Sequence, residues 1–281
     1  MKKLIYLLLA AILLTTPLFL FACQSSTDDL AKIKESGVIR VGMECDYAPF
    51  NWTQAEPSDY TVPITSGGYA DGYDLQIARK IADELGVKLE VVKIEWGGLP
   101  SALQTGEIDA IIAGMSPIPS RRETIDFSDG YYISDLVIVV RKDSPYANAT
   151  KLSDFAGAKL TAQLDTFHYT ALEEQATEAL VQTAMDTFPA MIVALQSDTI
   201  DGYVSELPGA KSAVFANSDL TYVTFEEGQG FAASEDELSI AVGLRKGSNL
   251  VEEINKILAN ISDDMRQELM DGAIERQPLS E

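Results

Sequence analysis

Short apolar runs alternate with amphipathic segments along this sequence, and the alternation constrains the fold more than any other feature. Residues 37–114 contain, in order, GVIRVGM, YDLQIARKIADELG, KLEVVKI, GLPSALQTG and IDAIIAG. The first, third and fifth segments have the composition of buried strands. The second and fourth have apolar residues at helical spacing and close on Gly86 and Gly106, so they are predicted to be helices. Strands joined by helical crossovers lie parallel, and the pattern therefore predicts an α/β fold.

The same alternation restarts after the strand-like segment SDLVIVVRK (134–142) and ends in one long predicted helix over residues 249–275. The two halves contain similar segments, ALQTGEIDAIIAGMSP and ALQSDTIDGYVSELP. This internal repeat predicts two lobes of like construction, each a mostly parallel sheet flanked by helices, joined by a hinge. We predict that residues 37–141 and 237–281 form lobe 1 and that residues 142–236 form lobe 2.

The amino terminus has the pattern of an export signal. Two lysines precede the apolar run LIYLLLAAILLTTPLFLFA, which Cys23 follows. We interpret residues 1–22 as a signal peptide, Cys23 as a lipid-attachment site and residues 23–36 as a flexible linker. The alternative is a transmembrane anchor, since the run approaches the ~20 residues that span a bilayer. Either interpretation places the rest of the chain outside the cytoplasm, and the first attaches it to the membrane by a lipid.

The formal net charge is −22 at pH 7, which argues against a nucleic-acid partner and favours cationic ligands. Besides Cys23 the chain has only Cys45, so a lipidated Cys23 leaves no intrachain disulfide. The single histidine and the free cysteine give no recognisable metal-ligand spacing. We therefore expect no metal and no cofactor.

Five segments stand out along the chain: VGMECDYAPFNW, GYDLQIARKIADELG, EWGGLPSALQTGEIDAIIAGMSPIPSRRETIDFSDGYY, LVIVVRKDS and IAVGLRKGS. Together, and in this order, they resemble the polar amino-acid-binding proteins of ABC importers, the family 3 solute-binding proteins. The resemblance implies a type II periplasmic-binding-protein-like fold that closes over a free amino acid. It further implies a monomer that delivers the amino acid to an ABC permease and is not an enzyme.

In this family the loop after the strand equivalent to IDAIIAG binds the α-amino-acid group. The matching positions here are Gly114, Ser116 and Arg121, and a guanidinium can grip a carboxylate through two parallel hydrogen bonds. Arg122 falls at a position that is usually exposed. Pro117 departs from the family pattern and removes one N–H donor.

The second lobe of the family completes the grip with two segments. TAQLDTFHY matches the segment whose hydroxyl and N–H groups hold the carboxylate at a helix amino terminus, which points to Thr166. IDGYVSELP matches the segment whose acid pairs with the ligand ammonium, which points to Glu206. Asp165 stands where glycine is common.

Side-chain selectivity is expected from Glu44, Tyr47 and Trp96, with Gln163 and Phe167 as further lining residues. Two aromatic rings and a carboxylate suit a cationic or imidazole side chain, so the resemblance favours arginine, lysine or histidine as the ligand. A polar neutral amino acid, cystine or a small peptide remains an alternative, and the long loop over residues 53–72 can alter the rim of the cleft. A dehydratase-like enzyme on the same fold is the alternative of another class, with His168, Glu206 or Glu44 as its acid or base.

Overall fold

The computed structural model describes residues 28–278, which form two five-stranded sheets, one four-stranded sheet and the helices that cover them. The strands are β1 (Val38–Met43), β2 (Asp46–Tyr47), β3 (Asn51–Gln54), β4 (Val62–Pro63), β5 (Tyr69–Asp71), β6 (Lys88–Lys93), β7 (Ala110–Ile111), β8 (Ile125–Ile133), β9 (Leu136–Arg141), β10 (Lys159–Thr161), β11 (Leu180–Val181), β12 (Gly202–Glu206), β13 (Leu220–Val223) and β14 (Ser239–Arg245). The α-helices are α1 (Asp29–Ser36), α2 (Tyr73–Leu85), α3 (Leu99–Thr105), α4 (Pro119–Arg122), α5 (Phe167–Gln175), α6 (Phe188–Gln196), α7 (Leu207–Ala216), α8 (Glu235–Leu238), α9 (Leu250–Leu258) and α10 (Asp263–Arg276).

The two large sheets have corresponding strand orders, β6-β1-β7-β14-β8 and β11-β10-β12-β9-β13. In each sheet the fourth strand, β14 or β9, runs antiparallel to both of its neighbours, and the other four strands are parallel to one another. The fold-class prediction of two mostly parallel sheets flanked by helices is confirmed. We call the part built on the first sheet the first lobe and the part built on the second sheet the second lobe.

The chain passes between the sheets through two adjacent segments. The first lies between β8 and β9, and the second lies just before β14; the backbone N–H of Ser134 donates to the carbonyl of Leu238 at 3.0 Å and joins them. The strand β9 pairs with β12 and β13, so residues 136–141 belong to the second sheet, whereas the sequence had assigned them to lobe 1. We propose lobe boundaries just before Leu136 and Ser239.

Two helices end where the sequence predicts, whereas the long carboxyl-terminal helix is divided in two. Gly86 and Gly106 end α2 and α3 in the left-handed conformation, with φ of 65° and 80°. The single long helix predicted over residues 249–275 is wrong, because the chain forms α9 and α10 instead. Ser262 begins α10 as its N-cap, accepting a hydrogen bond from the backbone N–H of Met265, and so starts a new helix direction.

The carboxyl end of α10 contacts both lobes. Arg276 donates two hydrogen bonds, 3.1 and 3.2 Å long, to the buried carboxylate of Asp71 in the first lobe. Gln277 exchanges two hydrogen bonds with Ser212 of α7 in the second lobe, one of them from its Nε2 to the Ser212 carbonyl at 3.0 Å. Residues 276–277 therefore form a C-terminal strap, and beside it lies a cavity of about 380 Å³ between the lobes.

Candidate functional site

Residues from both lobes enclose a small cavity of about 10 Å³ between the carboxyl-terminal ends of the parallel strands. The edge of such strands is where α/β folds bind ligands. The residues that line it are Tyr47, Trp96, Gly114, Ser116, Arg121, Gln163, Thr166, Phe167, His168, Phe188 and Glu206. The lobes are in direct contact here, so the structure represents a closed arrangement.

Arg121 reaches the cavity from the last turn of the short helix α4. Its guanidinium donates to the carbonyl of Ser116 at 2.9 Å and, across the cleft, to the carbonyl of Asp165 at 3.1 Å. The guanidinium carbon lies 5.0 Å from the centre of the Trp96 ring. Burial lowers the pKa of Arg121 to about 10, although the charges of Glu206 and Asp165 oppose this shift. The side chain thus stays cationic at neutral pH, with N–H groups left to bind an anion.

Glu206 ends β12 on the opposite lobe and is 4% exposed. One carboxylate oxygen accepts a hydrogen bond from the Tyr47 hydroxyl of the first lobe, and the other lies 2.9 Å from Nε2 of His168. Burial by itself raises the pKa of Glu206, but His168 and Tyr47 outweigh burial, so the pKa lies below its ordinary value. A buried carboxylate therefore faces the same cavity as the Arg121 guanidinium.

Tyr47 fixes the centre of the closed cleft. Its ring stacks on Phe188 of the second lobe, with centroids 4.1 Å apart and an angle of 11° between the planes. On the first lobe, a Cβ added to Gly114, which has φ of 65°, would lie 3.0 Å from the Tyr47 ring. Burial, with the charge of Glu206, raises the pKa of Tyr47 well above its ordinary value, so the hydroxyl stays protonated.

The other predicted residues of the second lobe surround the start of α5. Thr166 immediately precedes the helix, as the carboxylate-binding role requires. Its hydroxyl, however, donates to the carbonyl of Gln163 at 2.7 Å in this structure. Phe167 is buried next to His168. Asp165 adopts the left-handed conformation, with φ of 58°, in which glycine is favoured, and its carbonyl accepts from Trp96 as well as from Arg121. Ser116 of the first lobe lines the cavity while its hydroxyl donates to the carbonyl of Glu237.

Glu44 lines a separate cavity of about 500 Å³, beside the one that holds Arg121. It is 4% exposed and accepts a hydrogen bond of 2.9 Å from Nε2 of Gln163 on the second lobe. Burial raises the pKa of Glu44 to about 7, against the effect of the Gln163 hydrogen bond. Trp96 lines both cavities and so connects them. The charged residues of this second cavity are Glu44, Asp46, Lys93, Glu95, Asp165 and Asp186.

Comparisons with known proteins agree with this architecture. The sequence profile of the bacterial extracellular solute-binding proteins, family 3, matches residues 39–271. The chain belongs to this family.

Individual members of the family share about a quarter to a third of their residues with this solute-binding protein. The arginine-binding extracellular protein ArtP of Bacillus subtilis is 28% identical over 94% of each chain. A probable histidine-binding protein of Campylobacter jejuni is 30% identical over 91% of this chain and 92% of its own. A solved amino acid ABC transporter substrate-binding protein from Streptococcus pneumoniae, bound to L-arginine, superposes with a TM-score of 0.76 at 28% identity. That superposition covers 88% of this chain and 98% of the other.

The structure of this solute-binding protein brings nine of the ten predicted ligand-binding residues to one cavity and separates Glu44 into the next. The resemblance did not point to Phe188 or assign a binding position to His168. Phe188 follows Thr187, the N-cap of α6, and only the tertiary fold carries that helix start to Tyr47. His168 lies in the first turn of α5, two residues after Thr166. Considering the polar residues of that first turn together with Thr166 would have identified it.

Three further predictions concern Arg122 and the amino-terminal segment. Arg122 is exposed and pairs with Asp236 at 3.3 Å, while its Nε donates to the carbonyl of Pro117 at 2.8 Å. The lipid-attachment site proposed at Cys23 lies outside the described residues, as do both interpretations of residues 1–22. Among residues 28–278, none of the helices combines the length and apolar character needed to cross a bilayer.

Proposed function

We propose that this solute-binding protein captures a free amino acid with a cationic or imidazole side chain outside the cytoplasm and delivers it to an ABC permease. The observation that carries the proposal is that Arg121 and Glu206, one from each lobe, face each other across a single closed cavity. An α-amino acid presents a carboxylate and an ammonium on one carbon, so both charges are matched only when the lobes close. The bound amino acid thereby holds the lobes together.

In this proposal the α-amino and carboxylate groups of the ligand lie in the first cavity. Its side chain extends past Trp96 into the second cavity, which is the side-chain subsite. Its lining carries five carboxylates against one lysine. Trp96 lines both cavities, and Glu44 in the second cavity accepts a hydrogen bond from Gln163, which lines the first. A guanidinium or imidazolium would stack on Trp96 and pair with Glu44. Arginine and histidine are the ligands named for the two relatives described above, which supports this class.

A polar neutral amino acid is the second candidate ligand, and one observation favours it. Because burial raises the pKa of Glu44 to about 7, its carboxyl group is partly protonated at neutral pH and can donate a hydrogen bond to an amide. We assign no catalytic role to Glu206 or Glu44, since in this proposal both bind the ligand, nor to His168, whose Nε2 lies 2.9 Å from Glu206. A monomer suffices for this function, because both halves of the site come from one chain.

Thermal-shift measurements with separate additions of L-arginine, L-lysine, L-histidine, L-glutamine and L-cystine test the proposal. A ligand at one hundred times its Kd adds about 2.7 kcal/mol to the free energy of unfolding. We expect the largest shift from a cationic amino acid. Equal shifts from L-glutamine and L-arginine would contradict the cationic class, and no shift from any amino acid would contradict the function.

We also propose that Cys23 carries the lipid that attaches the protein to the membrane. Metabolic labelling with palmitate should be lost in Cys23→Ala. Cys45→Ala is the matched control and should keep its label, because Cys45 is fully buried in the first lobe. Label retained in Cys23→Ala would exclude anchoring at this residue.

A further inference from the structure

The C-terminal strap borders the cavity of about 380 Å³ between the two lobes, which we call the strap cavity. Its walls are the β2–β3 hairpin of the first lobe, helices α6 and α7 of the second lobe, and the strap. Phe188 lines both this cavity and the Arg121 cavity. A molecule in the strap cavity would therefore contact a wall of the amino-acid site without occupying that site.

The walls of the strap cavity are mostly apolar. On α7 the lining includes Gly209, Ala213 and Ala216, which share one helix face and have side chains too short to fill the space. On α6 the apolar side chain of Val193 lines the cavity and is 65% exposed. Trp52 of the first lobe adds an indole ring. A cavity with apolar and aromatic walls between two lobes has the character of a small-molecule site.

Tyr203, on β12, has a hydroxyl that lacks a hydrogen-bond partner among residues 28–278. The residue is 1% exposed and lines the strap cavity, and its ring packs edge-on to Phe188 with centroids 6.2 Å apart. Burial alone raises the pKa of Tyr203 above its ordinary value, with no hydrogen bond or charge contributing, so the hydroxyl stays protonated. Because buried polar groups are normally paired, this hydroxyl points to a ligand that reaches it.

Several other polar groups of the lining already have partners. Gln277 and Ser212 exchange two hydrogen bonds, and Nδ2 of Asn217 donates to a main-chain carbonyl of α7 at 2.8 Å. Among the described residues of the lining, Asp46 is the charged one, and it pairs with Lys93 at 2.9 Å. The lining therefore offers apolar contact, a buried unpaired hydroxyl and no unpaired charge, which favours an uncharged ligand.

We propose that the strap cavity is a second ligand site, which binds a small uncharged aromatic molecule through its ring and through a hydrogen bond to the Tyr203 hydroxyl. A ring that carries a hydroxyl or carbonyl group meets both requirements. An apolar cavity of about 150 Å³ holds benzene, so 380 Å³ leaves room for one or two rings. This site goes beyond amino-acid capture, because it shares no charged residue with the Arg121 cavity.

The two sites are coupled through closure of the lobes. Trp52 belongs to the first lobe and Tyr203 to the second, so the strap cavity is complete only when the lobes are closed. A bound aromatic molecule and a bound amino acid then stabilise the same arrangement. Two ligands that favour one conformation raise each other's affinity, and by the same factor. This coupling, unlike the site itself, rests on the proposed function.

Titrations of the full protein followed by fluorine NMR test the site, with 4-fluorophenol as the probe and 4-fluorotoluene as the analogue that lacks the hydroxyl. Tyr203→Phe should weaken 4-fluorophenol about two- to tenfold, the effect of one hydrogen bond, and should not weaken 4-fluorotoluene. The ligand-free Tm of this variant should not fall, because the hydroxyl has no partner to lose. A 4-fluorophenol Kd that Tyr203→Phe leaves unchanged, or no saturable binding of 4-fluorophenol, would overturn the inference.

A second variant locates the probe without altering Tyr203. Ala213→Phe places a large ring in the strap cavity and should weaken both fluorinated probes at least fivefold. Its Kd for L-arginine should stay within about twofold of that of the unsubstituted protein, since Ala213 does not line the Arg121 cavity. Unchanged binding of 4-fluorophenol to Ala213→Phe would show that the probe binds elsewhere and would overturn the site.

The coupling is measured by repeating the 4-fluorophenol titration with saturating L-arginine. We expect the Kd of 4-fluorophenol to fall several-fold, and an equal or higher Kd would overturn the requirement for closed lobes. The two proposals fail separately. No thermal shift from any amino acid would contradict the proposed function, whereas 4-fluorophenol binding without an amino acid tests the strap cavity by itself.

Discussion

The substitution Arg121→Lys tests the carboxylate-binding role most directly, because it keeps the positive charge and removes the planar fork. The guanidinium makes hydrogen bonds of 2.9 and 3.1 Å to the Ser116 and Asp165 carbonyls and lies over Trp96. Its remaining N–H groups are available for a ligand carboxylate. A lysine ammonium has one nitrogen, and it cannot serve both carbonyls and grip a carboxylate through two bonds.

The expected loss follows from the number of contacts. Hydrogen bonds from a charged group contribute about 1.5–3 kcal/mol each, and truncating one partner of a buried charge pair costs about 2–5 kcal/mol. The Kd for L-arginine should therefore rise roughly 30- to 5000-fold. Arg121 connects the lobes and lies outside the core of either one, so the ligand-free protein should lose only about 1 kcal/mol, or about 2–4 °C in Tm.

Arg122→Lys is the matched control. The Arg122 side chain is 42% exposed, and its carboxylate partner Asp236 is 49% exposed. Exposed ion pairs contribute about 0–1 kcal/mol, so the Kd should change by less than about fivefold. Isothermal calorimetry measures both variants, with thermal unfolding of the ligand-free forms alongside. If Arg121→Lys binds L-arginine within threefold of the unsubstituted protein, the carboxylate is bound elsewhere.

Three further substitutions test the closed cleft. Tyr47→Phe removes the hydroxyl that donates to Glu206 between the lobes, which weakens the ligand-free closed form by about 1.5–3 kcal/mol. Small-angle scattering should then give a larger radius of gyration without ligand, and an unchanged radius contradicts this role. Since burial raises the pKa of Glu44 from 4.5 to about 7, the folded protein binds this proton more tightly than the unfolded chain. Its contribution to the free energy of unfolding therefore falls as the pH rises through that range. In urea titrations, Glu44→Gln should show a smaller fall in the free energy of unfolding between pH 4.5 and pH 7 than the unsubstituted protein. If the two proteins lose the same free energy over this range, Glu44 does not contribute to the fall. Gln277→Ala removes both hydrogen bonds between the strap and Ser212 and should speed ligand release several-fold in stopped-flow measurements. An unaltered release rate excludes a role for the strap in closure.

The parallel half of each sheet could be predicted from the sequence because it depends on local patterns. Apolar runs, helical spacing and the closing glycines 86 and 106 are all readable over a few residues. The strand β8 was missed because IDFSDGYYI interrupts its apolar residues with acidic and glycine residues. Its position depends on pairing with β14, which lies more than a hundred residues later in the chain.

In the candidate site too, the residues of one local segment could be predicted, and the contacts between distant segments could not. Gly114, Ser116 and Arg121 stand in one loop, so a short motif was enough to find them. The contact between Tyr47 and Glu206 spans 159 residues, and no local pattern predicts that the two side chains meet in the closed arrangement. Glu44 likewise meets Gln163, which is 119 residues away, and no local pattern predicts that Glu44 lines a different cavity from Arg121.

The C-terminal strap has a practical consequence for building an optical sensor from this protein. Val193 of the second lobe is 65% exposed and lines the 380 Å³ cavity together with Trp52 of the first lobe and Gln277 of the strap. A dye whose emission depends on polarity, attached at a cysteine introduced there, would change its surroundings whenever the two lobes part. Its signal would report occupancy from outside the recognition cavity, so the dye would leave the amino-acid contacts untouched.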